Sequence, residues 1–370
     1  MNEAASSRPP YHGNLPAFLN LNLNLNLTRM FRTLLSLLAI VILAGCSRPG
    51  DSAARRAHEL LEAGRFEEAR TLIDTSLKET PDSPALRQER LHLALLLGQP
   101  EIAAAEGRQI LRLNPKAQPY RQPLQDRLPA VRANALKALA LDPPERPDPA
   151  SLIKAGLKDS DPTVRREAAE ATRILEPKEA IKILRVAAKD SDWLTRATAA
   201  RLFGQRGDAS LIPDLFRMLQ DADSYVRRFA RRSLLELADK AKPDAYLPSL
   251  RSKDRTTQIV AALALVRLND GRGAEVLLSE ISNPLGIERV ECVKAISKLV
   301  DPRVAPALRA ATGDKDPEVQ VVSLIALGLL KDKESAALLK KISTDPASSK
   351  EVKLAASKAL DLLTKPADQP

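Results

Sequence analysis

Apolar positions along this chain recur on two long periods, and each period resolves into pairs of amphipathic helices. From about residue 126 to 363 the period is 31. Leu184, Leu215, Tyr246, Leu277, Leu308 and Leu339 stand one period apart, and so do the small residues Ala168, Ala199, Ala230, Ala261, Cys292 and Ser323. A polar column keeps step: Asp161, Asp192, Asp223 and Asp254, failing at Leu285 and returning at Asp316. Six copies hold this register without a slip, with looser copies at about 126–157 and 343–363. Within one copy, DPTVRREAAEATRIL sets Val164, Ala168, Ala171 and Leu175 on one helix face. Asp161 precedes the first turn, where a carboxylate caps free amides. The second helix, EAIKILRVAAK, turns Ile181 and Leu184 inward. One such pair cannot bury its apolar face, but a stack of pairs can.

Residues 50–117 follow a different period. Leu61 recurs as Leu95, Gly64 as Gly98, Ala69 as Ala103, Leu77 as Leu111 and Pro81 as Pro115, each 34 residues on. Each copy reads as helix, Gly turn, helix and a stopping Pro. This pair resembles the tetratricopeptide (TPR) repeat, whose period is also 34. EAGRFEEAR at 62–70 matches its turn and second helix, whereas Gly107 stands where a bulky residue is expected and the usual first-helix Trp and Tyr are absent. His58 and His92 share this spacing. Two ligands are too few for a metal site and no further one is evident in sequence, so both are read as polar groove or surface residues.

The 31-residue columns Asp161-Pro-Thr-Val-Arg165 and Asp223-Ser-Tyr-Val-Arg227 resemble the HEAT repeat in its bacterial, bilin-lyase-like form, D-x-x-V-R-x-x-A. The resemblance implies an all-α fold, an α-solenoid (a HEAT-like superhelix) behind the short TPR-like helical pair. It says little about activity, which on a solenoid belongs to the surface. Arg165, Arg196, Arg227 and Arg289 recur in step, with Gln258 and Gln320 in their places elsewhere. The reading is structural: Asp caps a helix and Arg reaches the neighbouring copy. Cys292, in the small column, reads as a buried thiol.

Composition narrows the picture. The chain has 370 residues, 44% hydrophobic but only 3% aromatic, and a net charge of +10. Helix is favoured over a β-core, and the basic surface suits acidic proteins, anionic lipid or nucleic acid. With two cysteines and three histidines, a disulfide framework or zinc cluster is not expected.

The amino-terminal region reads as an address. Residues 30–45 carry a positive start and the apolar run LLSLLAIVIL, too short to span a bilayer comfortably. Leu43-Ala44-Gly45-Cys46 resembles the bacterial lipobox. That resemblance implies cleavage before Cys46 and acylation of Cys46, and Ser47 after it suggests the outer membrane, facing the periplasm. Residues 1–29 fit no secretory signal, and translation from Met30 is the expectation. The domain order is therefore 1–29 untranslated or disordered, 30–45 signal peptide, 46–117 TPR-like repeats, 118–125 Pro-spaced linker, 126–365 HEAT-like repeats and a 366–370 tail.

The array contains no histidine, which excludes the His-Glu iron chemistry of deoxyhypusine hydroxylase, a HEAT-repeat enzyme. No P-loop, G-x-S-x-G or metal-ligand cluster is present. The expectation is a protein without enzyme activity or cofactor: an interaction scaffold anchored to the bacterial envelope, with other envelope proteins as partners. A binder of nucleic acid or another anionic polymer is the second reading, and a lyase-like maturation factor the third. Six of the eleven aromatic residues lie between 193 and 246, among many arginines. Trp, Tyr and Arg dominate interface energies, so Trp193, Arg196, Tyr225, Arg228, Arg231 and Arg232 are the candidate partner-binding residues. Phe203, Phe216 and Phe229 are expected to fill the stack.

Overall fold

The computed structural model describes residues 50–141, 149–283, 286, 288–299 and 301–364. The signal segment with Cys46, residues 1–29, nearly all of the Pro-rich run 142–149, Leu285 and the 366–370 tail lie outside the described residues. Among the described residues there is no strand, and no helix is long and apolar enough to cross a membrane. The chain falls into two compact units: residues up to Ala94 together with Ala105–Ala117, and Leu95–Ala104 together with the chain from Gln118 onward.

The first unit is built on α1 (Asp51–Glu62), α2 (Phe66–Glu79), most of α3 (Pro84–Leu96) and the later part of α4 (Pro100–Leu113). Its core is Ala57, Leu60, Leu61, Ala69, Ile73, Leu86 and Leu91. Helix α1 stops at Gly64, whose φ of 73° is left-handed. Gly64 N donates to Leu61 O (3.0 Å) and Arg65 N to Leu60 O (2.9 Å), the paired bonds that close a helix on a left-handed residue. Gly98, 34 residues on, adopts the same conformation (φ 69°). Glu106 is buried and accepts from Arg87 Nη1 at 2.9 Å.

The second unit continues through α5 (Pro129–Ala140), α6 (Pro149–Gly156), α7 (Pro162–Ala171), α8 (Pro177–Ala187), α9 (Trp193–Arg206), α10 (Ile212–Met218) and α11 (Ser224–Ala238). After it come α12 (Arg255–Arg267), α13 (Ala274–Ile281), α14 (Arg289–Ile296), α15 (Ala305–Ala311), α16 (Pro317–Leu329), α17 (Ala336–Thr344) and α18 (Lys350–Thr364). All six residues of the small column and all six of the Leu column have no exposed surface. Helix α9 packs on α11, and α16 on α18, with backbones close together at two glycines outside the small column. A Cβ on Gly204 would sit 2.7 Å from Ser233 Cβ, and one on Gly328 would sit 2.8 Å from Ala359 Cα. Ser233 Oγ donates to Ala200 O across the α9–α11 contact (2.9 Å).

One copy departs from the helix-pair expectation. After α11 the second helix is replaced by two 3-10 turns, Pro243–Ala245 and Leu247–Arg251. Pro243 and Pro248 each remove an amide donor that an α-helix needs. Tyr246 holds the Leu column there, fully buried, and its hydroxyl donates to Leu234 O at 2.8 Å. Phe216 meets its ring edge-on at 6.0 Å. Phe203 and Phe216 fill the stack as expected, and Phe229 is half-buried.

Candidate functional site

The charged columns assemble first. Asp161, Asp192, Asp223, Asp254 and Asp316 each accept backbone amides from the first turn of α7, α9, α11, α12 and α16. They are caps, as read from the sequence. The acid that meets each arginine is a different one, two residues earlier. Arg132 pairs with Asp159 through Nε and Nη2 (both 2.7 Å). Arg165 pairs with Asp190 (2.9 and 3.0 Å), Arg196 with Asp221 (2.7 and 2.8 Å) and Arg289 with Asp314 (2.6 Å). The same aspartates fold their own turns, since Asp190 Oδ1 also accepts the Asp192 amide at 2.8 Å. This second acidic column was readable at the same 31-residue spacing and was missed.

Arg132, Arg165 and Arg196 have a second task. Nη1 of Arg165 donates to the carbonyls of Asp159 and Ser160 (2.9 and 3.0 Å), and Nη1 of Arg196 to those of Asp190 and Ser191. Gln258 and Gln320 keep this carbonyl bond, to Ser252 O and Asp314 O, but have no fork to offer an aspartate. The fork-to-carboxylate bonds hold Asp159 and Asp221 below the ordinary carboxylate range, the hydrogen bonds from Arg132 and Arg196 being the main cause.

The ladder has a gap. Arg227 Nη1 makes both carbonyl bonds, to Asp221 O and Ala222 O (2.7 and 2.8 Å). The acid that should meet its fork is replaced by Ser252, whose Oγ folds the turn by accepting the Asp254 amide but carries no charge. Among the described residues no carboxylate pairs with Arg227, which is exposed. An open concavity of about 530 Å³ lies here, lined by Gln220, Ser224, Arg227, Arg228 and Arg231 among others.

Beside the gap runs an aromatic strip. Trp193, first residue of α9, is 40% exposed, and Tyr225, in the first turn of α11, is 48% exposed. Their rings lie 5.3 Å apart. The Arg228 guanidinium sits over the Tyr225 ring at 4.7 Å, close enough for a cation–π contact. Arg232 follows one turn later on α11 and pairs with Glu236 at 2.7 Å. The structure thus brings Trp193, Tyr225 and Arg228 together and extends them by Arg232. It commits Arg196 to the ladder. It also commits Arg231 to Glu288 and Glu291, which Arg231 reaches past α12. Arg227, absent from the sequence-derived set, joins the exposed group because its column partner is missing.

Cys292 is fully buried. Burial first, and the carboxylates of Glu288, Glu280 and Glu291 after it, push its thiol up to about 12. A thiol held that high supplies no thiolate at neutral pH.

The repeat geometry agrees with a family comparison. The profile for HEAT repeats matches residues 118–193, 181–266 and 274–361, together more than half of the chain. The chain is a HEAT-repeat protein. A comparison with curated proteins found no match. Among solved structures, human deoxyhypusine hydroxylase is 20% identical over 66% of this chain and 92% of its own, with a TM-score of 0.29. The Escherichia coli protein YibA is 19% identical over 66% of this chain and 91% of its own, TM-score 0.44. The complex of CpcE and CpcF of phycocyanin lyase from Nostoc is 20% identical over 58% of this chain and 94% of that one, TM-score 0.32. At these values the likenesses bear on neither activity nor partner of this HEAT protein.

Proposed function

We propose that this HEAT protein is a non-catalytic interaction scaffold, anchored to a bacterial envelope through acylated Cys46, that captures an acidic segment of a partner protein. The observation that carries the reading is the Trp193–Tyr225–Arg228 strip beside the unpaired fork of Arg227. Aromatic rings offer large contact area at little entropic cost, and an arginine without a carboxylate selects one from its partner. The repeats beneath hold both helices by buried columns, so the surface is presented on a rigid support. The amino-terminal pair is read as TPR-like, a second helical surface on the same anchored chain.

Six arginines of the second unit, Arg132, Arg165, Arg196, Arg231, Arg267 and Arg289, are engaged by carboxylates of this chain rather than open to phosphates.

Trp193 is the only tryptophan in the chain, so its emission reports on this surface alone. Titration with peptides that carry Asp or Glu beside an aromatic residue should shift that emission. The affinity should fall about tenfold or more in Arg228→Glu, with helical content unchanged. If emission stays constant and Arg228→Glu binds as well as the parent, the strip is not the docking surface. For the anchor, fatty-acid labelling should be lost in Cys46→Ser, and labelling that persists would overturn it.

A further inference from the structure

The amino-terminal unit carries a cluster that the scaffold reading does not use. His58 on α1 and His92 on α3 occupy the same position of the two 34-residue repeats. Stacking of the two first helices places their rings 6.3 Å apart. Glu89 lies one turn before His92 on the same face of α3, since residues at i and i+3 are helix neighbours. Its Oε2 stands 3.2 Å from His58 Nδ1. One ligand atom from each of the three residues falls within 4.8 Å of the other two, and all three side chains are half-buried.

We propose that His58, Glu89 and His92 form a binding site for one divalent transition cation of the zinc class. Two imidazoles and one carboxylate are the donor set that suits zinc, nickel or copper and not calcium or magnesium, which take oxygen ligands. A tetrahedral zinc with bonds of about 2.0–2.1 Å sets its ligand atoms roughly 3.3–3.4 Å apart. The His58–Glu89 pair is already at that spacing. Small rotations about the side-chain bonds of the histidines close the rest. Three protein ligands leave a fourth position open for water or for a group from a bound molecule.

A second acid is close in sequence: Glu62 lies one turn after His58 on α1, on the same helix face by its i+4 spacing. The sequence counted two imidazoles and no third ligand because Glu89 shares no 34-residue column with either. Only the fold brings it between them.

The test uses the full chain, stripped with a chelator and titrated with Zn2+ by calorimetry and with Co2+ by visible absorption. One ion per chain is expected, with the cobalt spectrum of a mixed nitrogen and oxygen site. His58→Ala, His92→Ala and Glu89→Gln should each weaken Zn2+ by about tenfold or more, since loss of even an outer-shell partner of a ligand costs about 10–100-fold. Glu101→Gln, an exposed carboxylate outside the cluster, should leave the affinity unchanged. Zn2+ should also shield His58 and His92 of the unaltered chain from carbethoxylation, a readout that needs no variant. Absence of uptake at tens of micromolar Zn2+, or uptake that survives the paired His58→Ala/His92→Ala change, would mean that these residues form only a hydrogen-bonded pair and a ring contact. Neither result alters the reading of the Trp193 surface, which lies in the other unit.

Discussion

Arg165 and Asp190, 25 residues apart in the chain, meet through two parallel bonds of 2.9 and 3.0 Å in a largely buried site. The pair joins one repeat to the next, and Arg165 also closes the turn before its own helix. Removing one partner of a buried pair strands the other charge. Asp190→Asn should therefore cost about 3 kcal/mol in urea unfolding. Arg165→Gln should cost less than Arg165→Ala, because Gln258 and Gln320 show that an amide keeps the carbonyl bond. Equal losses would remove that second role.

The ladder predicts acid lability. Asp159 and Asp221 lie below the ordinary carboxylate value in the folded chain, chiefly through their arginine bonds. Their contribution to stability is present above the unfolded value, about 3.9, and disappears as pH falls through the folded one. Thermal stability should hold from neutral pH to about 5 and drop steeply below about 4. Asp159→Asn/Asp221→Asn should start lower and lose less over that range. A parallel curve would refute the assignment.

Ser252→Asp tests the gap. An aspartate there sits where Asp190 and Asp221 sit in earlier repeats and should engage the Arg227 fork. Because Arg227 is exposed, the expected gain is small, about 0.2–1 kcal/mol. The same change should weaken capture of acidic peptides by occupying the edge of the Arg227 guanidinium that meets no carboxylate. Tighter binding in Ser252→Asp would count against a carboxylate-seeking partner.

Gly328→Ala tests close approach. A Cβ there would lie 2.8 Å from Ala359 Cα and 3.0 Å from its carbonyl oxygen, both backbone atoms that yield little. The expected loss is about 1–3 kcal/mol, confined to α16 and α18. Hydrogen exchange should accelerate there and not in α7 or α9. Uniform acceleration would show that the array unfolds as one block.

Cys292 should resist thiol reagents in the native state and react promptly in denaturant, since it has no exposed surface and a thiol held near 12. Rapid native labelling would contradict the burial described.

The repeat fold was legible because its signal is redundant. Six copies put a small residue and a bulky one at fixed spacing, and every one is buried. The caps were legible for the same reason. The ladder was half-legible: Arg165 and Arg196 were read as reaching the neighbouring copy, but the acids they meet were not named, since Asp190 and Asp192 are both plausible until the arginine direction is known. The missing second helix before α12 turned on Pro243 and Pro248, which the column count passed over because Tyr246 kept the register. At the surface, Trp193 and Arg228 were identifiable by type, while Arg231 needed coordinates. Its partners are 57 and 60 residues away and follow no period.

That contact has a mechanical consequence. Repeats in a solenoid ordinarily feel only their immediate neighbours, so the array flexes like a spring. Arg231 ties α11 to the start of α14 across an intervening repeat, a splint over three joints. The stretch from α11 to α14 should bend as one piece, and its amides should open together, so the strip at Tyr225 and Arg228 is borne on a stiff segment of otherwise pliant repeats.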